Sequence, residues 1–313
     1  MNRAIARSAS WPRAAVAVVL AVLCGCGGTV VVSSPPPPFF AVLSAFPAET
    51  APLLEQANVD DTMMFNGKVF RIGGLGGVHV AIGLTGIGLL NAANTTRAVL
   101  DGLPVTGIVF SGVAGSSLRI GDVAVPVSWS FKDGTTYPSN QAWLDLAAEL
   151  TPPGVVPFEH CTVVPASGKP VCLPFEPAIS VGGVGLSSDT FGDTPFACQP
   201  MGNDIFGCDV AAGTTAGASA DGRRSLGGAA AGGAAADSEA PIVEDMETAA
   251  VAREAAARGL PFIGFRSVSD GADDPLGLPG FPSQFFAYYR LAARNAAAAT
   301  IAFLERVAAT PRR

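Results

Sequence analysis

Charge is scarce in this chain. Only 14% of its 313 residues are charged, with 19 Lys and Arg against 26 Asp and Glu, and histidine occurs twice. An acidic balance without a basic run excludes nucleic acid polymers and anionic lipid surfaces as partners. Two histidines and no C-x-x-C pair leave no zinc quartet. His79 falls in a strand pattern and His160 beside Cys161, so structural roles suit both. A P-loop and a G-x-S-x-G nucleophile elbow are missing. The turn Gly86-Ile87-Gly88 lacks the third glycine of a dinucleotide site, because Asn91 stands there. Long apolar runs are missing too. The stretch 14–23 is too short to span a bilayer as a mature helix.

What is present is a 49% hydrophobic composition, enough for one domain with a sizeable core. Residues 1–26 read as an export signal: Arg3, Arg7 and Arg13, then the apolar run, then Leu23-Cys24-Gly25-Cys26. The small Gly25 before Cys26 and the tether after it favour a bacterial lipobox with Cys26 as the lipid attachment site. An ordinary signal peptide, giving a secreted soluble protein, is the plainer alternative. Residues 27–38 form that Pro-rich tether. Cleavage would take the formal charge from −7 to about −10, leaving the lipid as the only membrane contact. Four cysteines follow the signal: Cys161, Cys172, Cys198 and Cys208. Export permits disulfides. Four cysteines allow three connectivities, and local pairs, 161–172 and 198–208, are the expectation.

The pattern predicts alternating strands and helices. Residues 39–45 read as a buried strand. A helix over 50–57 carries Pro52 in its first turn. Strands 68–72 and 78–82 flank a glycine turn at 73–77. A helix covers 89–100, strands cover 107–111 and 123–127, and a short helix covers 143–150. The helix after Glu247 runs to Arg258, with Gly259 at C′, and a buried strand follows over 262–268. A C-terminal helix over 283–307 presents Phe286, Tyr289, Ala293, Ala297, Ile301 and Leu304 on one face. Residues 211–240 are Ala, Gly, Ser and Thr with almost no large side chains, too little to offset ordering entropy, and read as a disordered insert.

Two segments carry chemistry. Asp245-Met246-Glu247-Thr248 opens a helix, and Arg266-Ser267-Val268-Ser269-Asp270 ends the next strand. In an open α/β sheet, ligands lie outside the carboxyl ends of strands, so both carboxylates can face one cleft. This pairing resembles the nucleoside phosphorylase superfamily, in its methylthioadenosine/S-adenosylhomocysteine nucleosidase branch. There E-M-E-[AT] binds the ribose hydroxyls and R-x-[IV]-S-D protonates the purine. Asp245 replaces the first glutamate. Residues 85–93 resemble the family's S-G-I-G turn, 108–116 its central strand and T-G-x-A-G-G loop, and 120–125 its V-G-D strand. Ser188-Asp189-Thr190-Phe191 and Phe46-Pro47-Ala48-Glu49 are weaker matches. The resemblance covers roughly 39–307 with one insertion.

The resemblance implies an α/β, three-layer phosphorylase-type fold over 39–310, with a central twisted mixed sheet flanked by helices. It implies an N-glycosyl hydrolase acting on a purine nucleoside, with no cofactor and no metal. Asp270 would be the catalytic acid and Glu49 the base that activates water. Glu247, Met246, Phe191, Ser269, Arg266, Val113, Gly115 and Gly86 would bind substrate. Bacterial phosphorylases hold phosphate with an arginine before the central loop, and Val109-Phe110-Ser111-Gly112 has none. Phosphorolysis and a non-catalytic nucleoside-binding role are the alternatives. A homodimer or homotrimer, the base and the 5′ substituent stay open.

Overall fold

The structure, a computed structural model, describes residues 39–208 and 242–310. The expectations for the signal, Cys26, the tether and the 211–240 insert lie outside the described residues.

Buried β1 (Phe39–Ser44) feeds α1 (Pro47–Gln56). Three antiparallel strands follow: β2 (Asn58–Phe65), β3 (Lys68–Leu75) and β4 (Val78–Leu84). Then come α2 (Leu89–Gly102), the long β5 (Val105–Arg119), β6 (Val123–Val125), β7 (Ser128–Phe131), β8 (Thr136–Pro138) and α3 (Gln141–Ala148). A small hairpin pairs β9 (Cys161–Val163) with β10 (Pro170–Cys172). The chain closes with β11 (Ile179–Val181), β12 (Val184–Ser187), β13 (Val243–Asp245), α4 (Thr248–Ala257), β14 (Phe262–Ala272) and α5 (Ser283–Ala309).

All strands but the β9–β10 pair join one mixed sheet. At its centre β5 runs parallel to β1 on one side and to β14 on the other, and β13 pairs antiparallel with the end of β5. Central strands buried on both faces are apolar without alternation, as in Ile108-Val109-Phe110 and Phe262 to Phe265. Leu43, Phe110 and Trp129 pack on one side with α2 and α4. Val42, Val109 and Phe265 pack on the other with Leu53 of α1, α3 and the later turns of α5. The expected α/β sheet flanked by helices is therefore observed, and both local disulfides, Cys161–Cys172 and Cys198–Cys208, are formed.

Several boundaries are corrected. The first helix starts at Pro47, not at 50, because proline at N1 presets the helical φ. Glu49 thus lies in its first turn and Pro52 in its interior. The strand expected over 107–111 runs from 105 to 119, and that over 123–127 ends at 125. β2 was not expected. It is an exposed edge strand, held by backbone pairing to β3 rather than by burial. Its signal is Asn66-Gly67, both at positive φ (48° and 73°), the pair favoured by a two-residue hairpin turn. On α5, Phe286 is exposed while Tyr288, Leu291 and Phe303 are buried. The rest of the expected face is buried or half-buried, and the buried stripe is broader than expected, with Tyr288, Leu291 and Phe303 added to it.

Candidate active site

The carboxyl end of β1 meets the middle of β5 and β14 beside the start of α4, and Glu49, Arg266, Asp245 and Glu247 converge there. Pro47 begins α1 three residues after β1, so Glu49 turns back over the sheet. Its Oε2 accepts the Ala45 N–H at 2.6 Å and its Oε1 the Val113 N–H at 2.7 Å. Arg266 leaves β14 opposite Gly112 of β5. Its Nη1 is 3.5 Å from Glu49 Oε1 and donates to the Val113 carbonyl at 3.2 Å. Its Nη2 lies 2.6 Å from Asp245 and 3.2 Å from Glu247, and Nε donates to Thr248 Oγ1 at 2.9 Å. The guanidinium also rests 4.4 Å over the Phe110 ring. Gly112 makes room for this, since a Cβ there would fall 2.2 Å from Arg266 Nη1 and 2.5 Å from Glu49 Oε1.

Arg266 and Glu49 are essentially inaccessible, at 0% and 1% exposure. Burial lowers the Arg266 pKa, but the Asp245, Glu49 and Glu247 carboxylates outweigh it and raise it. Glu49 is pushed up to about 7 by burial, against the pull of Arg266 and backbone N–H donors. Glu247 is pushed up to about 8, first by burial and then by the neighbouring Asp245 and Glu49 carboxylates, while Arg266 pulls it down. Asp245 collects the Ser187 and Thr248 hydroxyls and the N–H groups of Glu247 and Thr248. It anchors the first turn of α4 and sets Glu247 at its N-cap.

Glu247 turns its Oε1 to the Gly88 N–H, 2.8 Å away, so the Gly86–Gly88 turn and the α4 start form one wall. Asp189 accepts the Leu89 N–H at 2.6 Å and the Phe191 N–H at 3.0 Å. That places the Phe191 ring beside Gly88, where a Cβ would lie 2.8 Å from it.

Asp270 sits farther along β14, where the register slips between Val268 and Asp270, a bulge of the kind that re-aims side chains. Its Oδ1 accepts the Ser269 hydroxyl at 2.7 Å, and its Oδ2 lies 2.7 Å from where a Gly115 side chain would begin. Burial raises its pKa, the Ser269 hydrogen bond opposes this, and the Glu244 charge adds to it.

The structure thus brings Glu49, Glu247, Arg266, Val113 and the Gly86 turn together. It sets Asp270, Ser269 and Gly115 three residues along β5, about 10 Å away at strand rise, and Phe191 on the turn side. Met246, between Asp245 and Glu247, is half-buried. Asp189, Glu244, Asn91 and Gly112 were not singled out as site residues from sequence. Asp189, Asn91 and Gly112 lay within quoted motifs, while Glu244 acts only through a partner distant in the chain.

The phosphorylase superfamily profile matches residues 39–176 and 190–306. An uncharacterised protein of Mycobacterium tuberculosis is 33% identical over 188 residues, covering 53% of this chain and 74% of that protein. An uncharacterised protein of Mycobacterium bovis is 59% identical over 61 residues, 20% of this chain and 82% of that one. Among solved structures, the futalosine hydrolase of Helicobacter pylori aligns with TM-score 0.55 and 19% identity, over 86% of this chain and 97% of that one. The 5′-methylthioadenosine/S-adenosylhomocysteine nucleosidase of Neisseria meningitidis, in complex with methylthio-immucillin-A, aligns with TM-score 0.56 and 19% identity. That match covers 85% of this chain and 98% of the other.

Proposed function

The chain belongs to the phosphorylase superfamily, and from that premise we propose that it is a nucleosidase that hydrolyses the N-glycosidic bond of a purine nucleoside. The observation that carries this reading is the buried Glu49–Arg266–Glu247 cluster, with Asp270 four residues beyond Arg266 on β14 and opposite Gly115 of β5. A nucleoside laid along β5 would put its base at Asp270, its ribose hydroxyls at Glu247 and its anomeric carbon toward Glu49. The fold shared with a futalosine hydrolase and a nucleosidase fits this.

Departure of a purine leaves cationic character on the sugar and charge on the base. Asp270, held neutral more readily than an exposed aspartate, would protonate the ring nitrogen, with Ser269 fixing its orientation. Glu247 would accept the ribose hydroxyls, and its carboxylate form, which gains ground as pH rises toward 8, would place negative charge near the developing cation. Glu49, poised at about 7, would take a proton from water. Val113 and Ala45 N–H groups and Arg266 hold it in place. Gly86 and Gly115 would line the sugar and base ends, with Phe191 against the base and Met246 beside the sugar.

Hydrolysis is favoured over phosphorolysis because a phosphate dianion needs charge-assisted donors. Arg266 is already ringed by three carboxylates, and Lys68 donates to the Thr85 carbonyl at 3.4 Å. The two disulfides suit an oxidising compartment, in keeping with export. Membrane partitioning of the full-length product, lost on Cys26→Ser, tests the anchor. The function is tested by incubating the protein with adenosine, inosine and 5′-methylthioadenosine, with and without phosphate. Base release without phosphate is expected. No release from any purine nucleoside overturns the reading.

A further inference from the structure

We infer that the loop closed by the Cys198–Cys208 disulfide is a positioning element of the active site, clamping the Glu49 helix, the Gly86–Gly88 turn and the Phe191 wall in one arrangement. The inference rests on the nucleosidase reading and deepens it by naming what holds the catalytic parts together.

The loop reaches all three parts. Helix α1 has no side-chain cap at Phe46. The Asp204 carbonyl takes that place, accepting the Ala48 N–H at 2.7 Å, one residue before Glu49. It thereby satisfies one of the first-turn N–H groups that a helix cannot pair internally. The Asp204 carboxylate is in turn held by α5, accepting Tyr289 Oη at 2.9 Å and Arg290 Nε at 2.8 Å. Ile205, at 4% exposure, belongs to the same core cluster as Phe46 and Tyr289.

The approach to the loop grips the other two parts. Asn91 Nδ2 donates to the Phe196 carbonyl at 2.7 Å and to the Ile87 carbonyl at 2.8 Å, so one amide ties the loop to the sugar-side turn. The Phe196 ring lies 4.9 Å from Phe191 and 6.2 Å from Phe206. Phe191 is thereby backed by an aromatic stack whose far end is inside the disulfide loop. Inside the loop, the Gln199 N–H bonds the Phe206 carbonyl at 2.7 Å, the Gly202 N–H the Gln199 carbonyl at 2.8 Å and the Gly207 N–H the Asn203 carbonyl at 2.8 Å, beside the bridge between Gln199 and Gly207. Across the loop's two ends these bonds are few, so without the covalent closure the ends part more readily, and such segments open locally before the core does. The Cys161–Cys172 disulfide provides an internal contrast. It staples a β9–β10 hairpin that is already paired, and it meets this network at a surface cavity that Cys161 shares with Arg290.

The experiment compares the full chain carrying C198S/C208S with one carrying C161S/C172S. It reads amide exchange at residues 47–50 together with kcat and KM on a hydrolysed nucleoside. The first pair is expected to speed exchange at Ala48 at least about tenfold. It should also lower kcat/KM by about ten- to a hundredfold, the scale of an ångström-size misplacement, with KM rising and kcat falling together. The second pair should leave all three readouts at wild-type values. Selective reduction of Cys198–Cys208 in the wild-type protein, with thiols counted by mass spectrometry, should reproduce the first pair without substitution. Unchanged Ala48 exchange with kcat/KM within about twofold of wild type overturns the inference. If the wild-type protein hydrolyses no nucleoside, the functional reading falls, while exchange at Ala48 still decides the clamp.

Discussion

Replacing Arg266 by methionine tests the electrostatic logic of the site. The side chain is fully buried, and its guanidinium compensates Glu49, Asp245 and Glu247 at 3.5, 2.6 and 3.2 Å. Methionine fills much of the volume but leaves the carboxylates facing one another. Removing one partner of a buried ion pair costs about 3–5 kcal/mol. At roughly 2–4 °C per kcal/mol for a domain of this size, the midpoint at pH 8 should fall by about 6–20 °C. The loss must also depend on pH. Glu49 and Glu247 already sit above the ordinary carboxylate range, at about 7 and about 8, and Arg266 is what pulls both down. A carboxyl whose folded pKa is raised favours folding below its unfolded pKa and gives up that stability as pH rises through the folded one. The wild type should therefore lose stability from about pH 5 to pH 8, and the variant should lose it more steeply. Denaturant titrations at pH 5, 7 and 8.5 should show a deficit that grows with pH. A flat deficit, or one below about 1 kcal/mol, would refute the reasoning.

Three further outcomes follow from the same geometry. Asp270→Asn should lower kcat by about two to four orders of magnitude on purine nucleosides with the fold intact, and steady-state assays showing near-normal turnover would remove it as the acid. Glu247→Gln should weaken turnover of ribosides far more than of 2′-deoxyribosides; an equal loss in the two series would leave Glu247 only a role at the α4 N-terminus. Gly112→Ala should cost about 1–3 kcal/mol in a denaturant titration, because the new methyl displaces Arg266 and Glu49 from the sheet; wild-type stability and activity would show that this contact relaxes freely.

The parts of the fold with local signatures could be read from the chain. The strand–turn–helix order, the C′ role of Gly259 and the local disulfide pairs depend on residues near one another. Helix and strand ends were less legible, since Pro47 at N1 and the Asn66-Gly67 turn compete with stronger-looking neighbours. The two carboxylate segments could be recognised through their motifs. Their coupling could not: Arg266 meets Glu49 across 217 positions and Glu247 meets Gly88 across 159. Arg266 was expected among the substrate contacts, but a single sequence cannot show that its charge is taken up by three buried carboxylates. Asp204 and Phe196 carried no signal at all, because their importance comes from what the disulfide loop packs against.

The most direct test of hydrolysis is the fate of the water oxygen. With purified protein, a turned-over purine nucleoside and phosphate buffer made in ¹⁸O-labelled water, the sugar product should be the free sugar carrying one label at its anomeric carbon, and Glu49→Gln should stop its formation while nucleoside still binds. Sugar 1-phosphate as the product, or undiminished label incorporation by Glu49→Gln, would contradict the account.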